Sequence, residues 1–170
     1  MDHFARLGLP AALELEPAAL DRAYFARQRQ WHPDRFVAKP ADERARASAE
    51  AAALNDAYRT LKDPLSRAIY FAALKGVELP GDGKTIDDPE LLMEVMDARE
   101  ELQEASSVAE VDALAAFAHE DLEKGLAGLS RLFLANDKPA IRKALLRLRY
   151  LDKFAEEARA RRMNIERSTA

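Results

Sequence analysis

The sequence predicts an all-α protein in two helical parts, on three observations. Ala, Leu, Glu and Arg, all strong helix formers, dominate the 170 residues, and glycine is scarce at 6. Acid–proline steps, which suit helix starts, recur at Glu16-Pro17, Asp63-Pro64 and Asp88-Pro89. Apolar residues repeat at three-and-four spacing on both sides of a stretch holding Pro80, Gly81 and Gly83. No segment alternates as a strand would, and no internal repeat is visible.

Each element has its own signal. A short helix is expected over 2–7. The second helix begins at Pro17 and runs to 31, with Leu20, Tyr24 and Trp31 four and seven apart. A loop over 32–40 separates it from a third helix over 42–62, whose stripe is Leu54, Ala57, Tyr58 and Leu61. A fourth helix spans 64–75 and stops at Gly76. Residues 77–87 read as a linker. Three helices follow, over 89–104, 108–135 and 138–162. Ser107 and Glu110 have capping-box spacing, and Asn136-Asp137 before Pro139 marks the last start. Val111, Leu114, Ala118, Leu122 and Leu126 face Ile141, Leu145, Leu148 and Leu151 in a bundle. The tail 164–170 is expected to fray. The domain expectation is thus 1–76, an antiparallel helix pair with short flanking helices; 77–87, a linker; and 88–170, a three-helix bundle.

Composition excludes several classes. Hydrophobic residues at 48% and charged residues at 33% describe a globular chain rather than a disordered one. The absence of cysteine rules out disulfides and thiolate-held zinc or iron–sulfur centres on this chain. No apolar run approaches the roughly 20 residues of a membrane helix. The start Met1-Asp2-His3-Phe4 lacks a secretory pattern, so the expected location is the cytoplasm. A net charge of −4 argues against general nucleic-acid binding. His3 and His119 have no ligand spacing with His32, and no metal or cofactor is expected. No glycine-rich loop suggests a nucleotide site.

The sharpest local feature is His32-Pro33-Asp34. Proline fixes φ and stiffens the turn between two helices. Asp34 offers an anionic acceptor to a partner's arginine, and His32 a donor or acceptor near neutral pH. Arg22, Arg27 and Arg29 precede the tripeptide and Arg35 follows it. The plainest reading is a helix-breaking loop. A second makes His32 and Asp34 an acid–base pair in a helical enzyme; no Ser or Cys nucleophile motif accompanies them.

The surroundings favour a third reading. Tyr24, eight residues before His32, and then Ala57-Tyr58, Leu61, Asp63, Arg67 and Tyr70 complete a pattern over about the first 75 residues that closely resembles the J domain. One departure is Arg27, where J domains usually carry leucine; its stem can snorkel along the core edge. The resemblance implies that His32, Pro33 and Asp34, with Arg22, Arg27, Arg29 and Arg35, bind a DnaK-type ATPase chaperone and stimulate its ATP hydrolysis. The basic helix would meet an acidic patch and steer the encounter.

The Gly/Phe-rich segment and cysteine-rich module of general DnaJ proteins are absent. Three stretches instead resemble the bacterial iron–sulfur co-chaperone family HscB. They are Met1 to Phe4 with Leu7-Gly8-Leu9-Pro10, the run from Leu92 to Leu102, and the run from Leu146 to Phe154. This implies a co-chaperone, not an enzyme, whose partners are the chaperone HscA and the scaffold protein IscU. It places the IscU patch on Leu92, Met93, Met96 and Tyr150, flanked by Asp97, Arg99 and Glu100. Spacings of three and four put the α-helical members on one surface. Met93 and Met96 suit an adaptable interface and Tyr150 an aromatic anchor. The competing reading puts Leu92, Met93 and Met96 in the bundle core. Because Leu91 to Met96 nearly encircle the helix, Leu91, Val95 and Leu102 can face the core while the patch stays exposed. A J protein for another client is the alternative function.

Overall fold

In the computed structural model, which describes residues 1–81 and 88–169, every regular element is helical. The elements are α1 (His3–Leu7), α2 (Pro17–Trp31), a 3₁₀ turn (Pro33–Phe36), α3 (Ala41–Lys62), α4 (Pro64–Leu74), α5 (Pro89–Glu104), α6 (Val108–Ala135) and α7 (Lys138–Thr169). The chain divides into two compact units, Met1–Lys75 and Gly76–Ala170.

In the first unit, the acid–proline starts work as their chemistry requires. Glu16 accepts from the Ala18 N–H at the head of α2, and Asp63 from the Ser66 N–H at the head of α4. Gly8, at φ 74°, ends α1 in the left-handed region. Packing then gathers Phe4, Leu7, Leu20, Leu54, Ala57, Leu61, Leu65 and Phe71 into one core. Arg67 lies against this core, where its Nε donates to the Leu13 carbonyl at 2.8 Å and one terminal nitrogen to the Leu61 carbonyl at 2.6 Å. Burial lowers the pKa of its guanidinium, while Asp63 and Glu14 oppose the shift. α2 and α3 are joined by the stacked rings of Tyr24 and Tyr58, 4.2 Å apart. Tyr58 donates to Asp21 and Tyr24 to Asn55, each at 2.7 Å.

In the second unit, α6 and α7 form a long hairpin. Asn136, at φ 52°, closes α6, and Asp137 opens α7 by accepting from the Ala140 N–H at 3.0 Å. Val111, Ala118, Leu129, Ile141, Leu145, Leu148 and Leu151 are buried. Leu114, Leu122 and Leu126 of the expected α6 stripe are half-buried. Gly125 allows close approach, since a methyl group there would collide with Cδ2 of the buried Leu148. Gly128, one turn on, has open space in the same position. Helix α5 lies against α7 through Leu91, Val95 and Leu146. Arg147 ties the three helices together, its Nε at 3.1 Å from Glu94 of α5 and its NH2 at 3.0 Å from Asp121 of α6. Arg161 caps the end of α5 by donating to the carbonyls of Gln103 and Ala105.

One sequence expectation needs correction. The tail does not fray at 164: α7 continues to Thr169. An Arg162–Glu166 pair at 2.8 Å and a bond from the Ser168 hydroxyl to the Asn164 carbonyl sustain the last turns. Whether the expected linker packs was open from the sequence, and its first part does pack within the second unit. Val77 is buried, Leu79 packs on Leu91, Val95 and Leu146, and Arg149 donates to the Pro80 carbonyl at 2.8 Å. Residues 82–87 of that linker lie outside the described residues.

Candidate functional site: a polar turn and an apolar helix face

The His32 turn begins where α2 must stop. His32 is extended, at φ −62° and ψ 128°, as a residue before proline prefers. Pro33 then opens the 3₁₀ turn. The Asp34 N–H donates to His32 Nδ1 at 3.3 Å. The Asp34 carboxylate is 85% exposed. It lies 3.6 Å from His32 Nδ1, so the two side chains form one polar tip. Arg35 NH1 donates to the Arg29 carbonyl at 2.9 Å and so caps α2. Beneath the tip, Trp31 and Phe36 stack with centroids 6.0 Å apart, and the Arg46 guanidinium sits 5.7 Å over the Trp31 ring. This buttress joins α2, the turn and α3. The sequence reading missed Phe36 and Arg46, because their partner Trp31 looked like a stripe residue.

The basic residues separate. Arg22 and Arg29 are exposed on α2, with Phe25, itself 51% exposed, between them on the same face. Phe25 was not foreseen. Arg27 is half-buried and turns its guanidinium toward the backbone of Gly8. It replaces the leucine of the J-domain pattern by reaching across to the end of α1. The exposure of His32 and Asp34 counts against acid–base catalysis by the pair.

The second surface lies on α5 and α7. Leu91, Val95 and Leu102 are buried, as the division of faces requires. Leu92 is half-buried, whereas Met93 and Met96 are 66% and 61% exposed. Tyr150, from α7, is half-buried and packs on the Leu91–Val95–Leu146 cluster. Burial pushes its phenol up to about 12, with nearby Glu157 and Glu94 adding to the effect and Arg99 opposing it. Its hydroxyl is directed at the Val95 carbonyl, 3.5 Å away.

The flanking charges differ in their ties. Asp97 and Glu100 are exposed and make no ion pair among the described residues. Arg99 is held by both oxygens of Glu157, at 3.0 Å from Nε and 2.7 Å from NH2. Those bonds raise its pKa further. Its guanidinium lies 6.0 Å from the Tyr150 ring centroid. Glu157 is a functional candidate that the sequence analysis did not single out. Its partner is 58 residues away, so no local spacing could reveal it. Among the described residues, no helix is long and apolar enough to cross a membrane.

Comparison with known proteins converges on one family. Residues 87–159 match a family model described as the HSCB C-terminal oligomerisation domain. A Co-chaperone protein HscB homolog of Burkholderia multivorans is 38% identical over 167 residues, covering 96% of this chain and 95% of the relative. The chaperone HscB from Vibrio cholerae superposes with a TM-score of 0.80 at 31% identity, over 97% of this chain and 99% of that one. The human co-chaperone HscB gives 0.87 at 27% identity, over 96% and 83%. With helices, polar turn and apolar face all described, and with relatives aligned over nearly its whole length, the chain belongs to the HscB co-chaperone family.

Proposed function

We propose that this chain is a J-domain co-chaperone of iron–sulfur cluster assembly that binds the scaffold protein IscU and delivers it to the DnaK-type chaperone HscA. Residues 1–76 act as the J domain and residues 88–170 as the scaffold-binding bundle, joined through 77–87. His32, Pro33 and Asp34, with Arg22, Arg29 and Arg35, engage HscA and stimulate its ATP hydrolysis. Arg27 contributes through its packing at Gly8. Leu92, Met93, Met96, Asp97, Glu100 and Tyr150 contact IscU, with Arg99 beside them. The protein works in the cytoplasm and catalyses no reaction itself.

The observation that carries this reading is the coexistence of two unlike exposed surfaces on one chain. One is a polar tip; the other is a pair of methionines exposed on α5, a helix on which the half-buried Tyr150 of α7 also packs. Methionines exposed next to an aromatic anchor are suited to a protein partner. Bringing both partners to one chain raises the effective concentration of scaffold near the chaperone.

The test is HscA ATPase stimulation with and without IscU, comparing the wild type with Leu92→Ala/Met96→Ala/Tyr150→Ala. The expected result is synergy between IscU and the wild type, with the triple variant losing only the synergy. Affinity for IscU should fall by about 100-fold, as for loss of interface hot spots. Stimulation that never depends on IscU would assign the bundle to another client.

A further inference from the structure

Helix α5 packs on α7 through Leu91, Val95 and Leu146, and polar ties add to that contact along its length. Toward its start, Lys143 reaches Asp88 and Glu90, and Arg147 reaches Glu94. At its end, Arg161 holds the last carbonyls. Between them stands Arg99–Glu157, which among the described residues is the tie from α5 to α7 made by two parallel bonds to one carboxylate. A two-bond fork fixes the plane of the guanidinium as well as its distance. That plane lies beside Tyr150, with Met96 three residues before Arg99 on the same helix.

We propose that Glu157 is a positioning residue for the IscU-binding face: its grip on Arg99 seats the guanidinium against the Tyr150 ring and fixes the register in which Met93 and Met96 of α5 stand beside Tyr150 of α7. This rests on the reading of that face as the scaffold site. Glu157 pairs with Arg99, and through that neighbour it acts on the face. The grip has a second effect. It neutralises a cation that would otherwise border Met96, leaving the carboxylates of Asp97 and Glu100 as the free charges there. Without Glu157, the long Arg99 side chain regains its rotamers and hydrates, and Tyr150 loses the group packed against its ring.

The experiment titrates IscU into the HscA stimulation assay with the full chain, comparing wild type, Glu157→Asp, Glu157→Gln and Glu157→Ala. For Ala and Gln, the half-saturating IscU concentration should rise on the order of tenfold, the size of one strong pair coupling. Stimulation without IscU and the rate at saturating IscU should stay at the wild-type level. Glu157→Asp keeps a carboxylate and should remain within about threefold of the wild type. Unchanged half-saturation in Ala and Gln overturns the proposal. So does an equal loss of scaffold-free stimulation, which marks a merely structural role. Should Glu157→Ala fail to fold by circular dichroism, the Gln-against-Asp difference decides. A wild type that binds no IscU overturns the scaffold reading first, and this inference with it.

Discussion

The His32 turn and the Met96 face are both exposed, yet they are built in opposite ways. The turn shows polar groups to solvent over an aromatic support, with Trp31 and Phe36 stacked beneath it. The face shows apolar side chains over a polar clamp, with Arg99 and Glu157 locked beside it. In the first, rigidity comes from proline and ring stacking, and the charged group Asp34 is left free to meet a partner's cation. In the second, rigidity comes from ion pairs, and the side chains left free are the flexible methionines. A stiff polar tip favours an oriented, salt-sensitive encounter. A flexible apolar patch favours holding a partner by area. The contrast fits a trigger on one unit and a grip on the other.

The most severe test of that contrast is His32→Gln. It should reduce HscA stimulation by on the order of tenfold or more, in keeping with loss of an oriented polar contact, while calorimetry finds IscU binding unchanged. Loss of IscU binding in that variant would break the division of labour.

A smaller effect separates the two sides of α5. Leu91→Ala empties a site that is 2% exposed and should lower unfolding free energy by about 2–5 kcal/mol in denaturant melts. Met96→Ala, at a position 61% exposed, should change it by no more than about 0.5 kcal/mol and instead weaken IscU binding. Equal destabilisation by both would return Met96 to the core.

The smallest effect concerns pH. The Leu91 N–H bond first, and then Lys143, hold the Asp88 carboxyl below its ordinary value; the Ser106 N–H does the same for Glu110. Folded pKa values below the unfolded ones mean that this stability is complete above about pH 4–4.5 and is lost as pH falls further. Thermal melts of Asp88→Asn/Glu110→Gln should therefore show a shallower acid decline than the wild type. A slope equal to the wild type's would mean that these caps contribute nothing measurable.

Local chemistry was legible in the sequence, and distant pairing was not. Helix starts at Pro17, Pro64 and Pro89 and the Ser107–Glu110 box follow from rules that operate within four residues. The outward side of α5 was legible because Leu91, Val95 and Leu102 left Met93 and Met96 no place in the core. The inward turn of Arg27 depends on α1 lying across it. The clamp on Arg99 depends on α7 returning alongside α5. The packing of Leu79 and Pro80 was hidden because proline and glycine signal a change of direction, not whether the chain then touches the bundle. The helix beyond Asn164 was missed because propensity was weighed without the Arg162–Glu166 pair.

The glycines of α6 have a consequence for how this hairpin can drift in sequence. Gly125 and Gly128 look alike in an alanine-rich helix, and on propensity alone alanine would be welcome at both. At 128 it meets nothing and simply stiffens the helix. At 125 its methyl group meets Leu148 in a filled core, so the smallest possible enlargement must be answered on the opposite helix. Alanine at position 125 must therefore displace the Leu148 side chain, while position 128 can change alone.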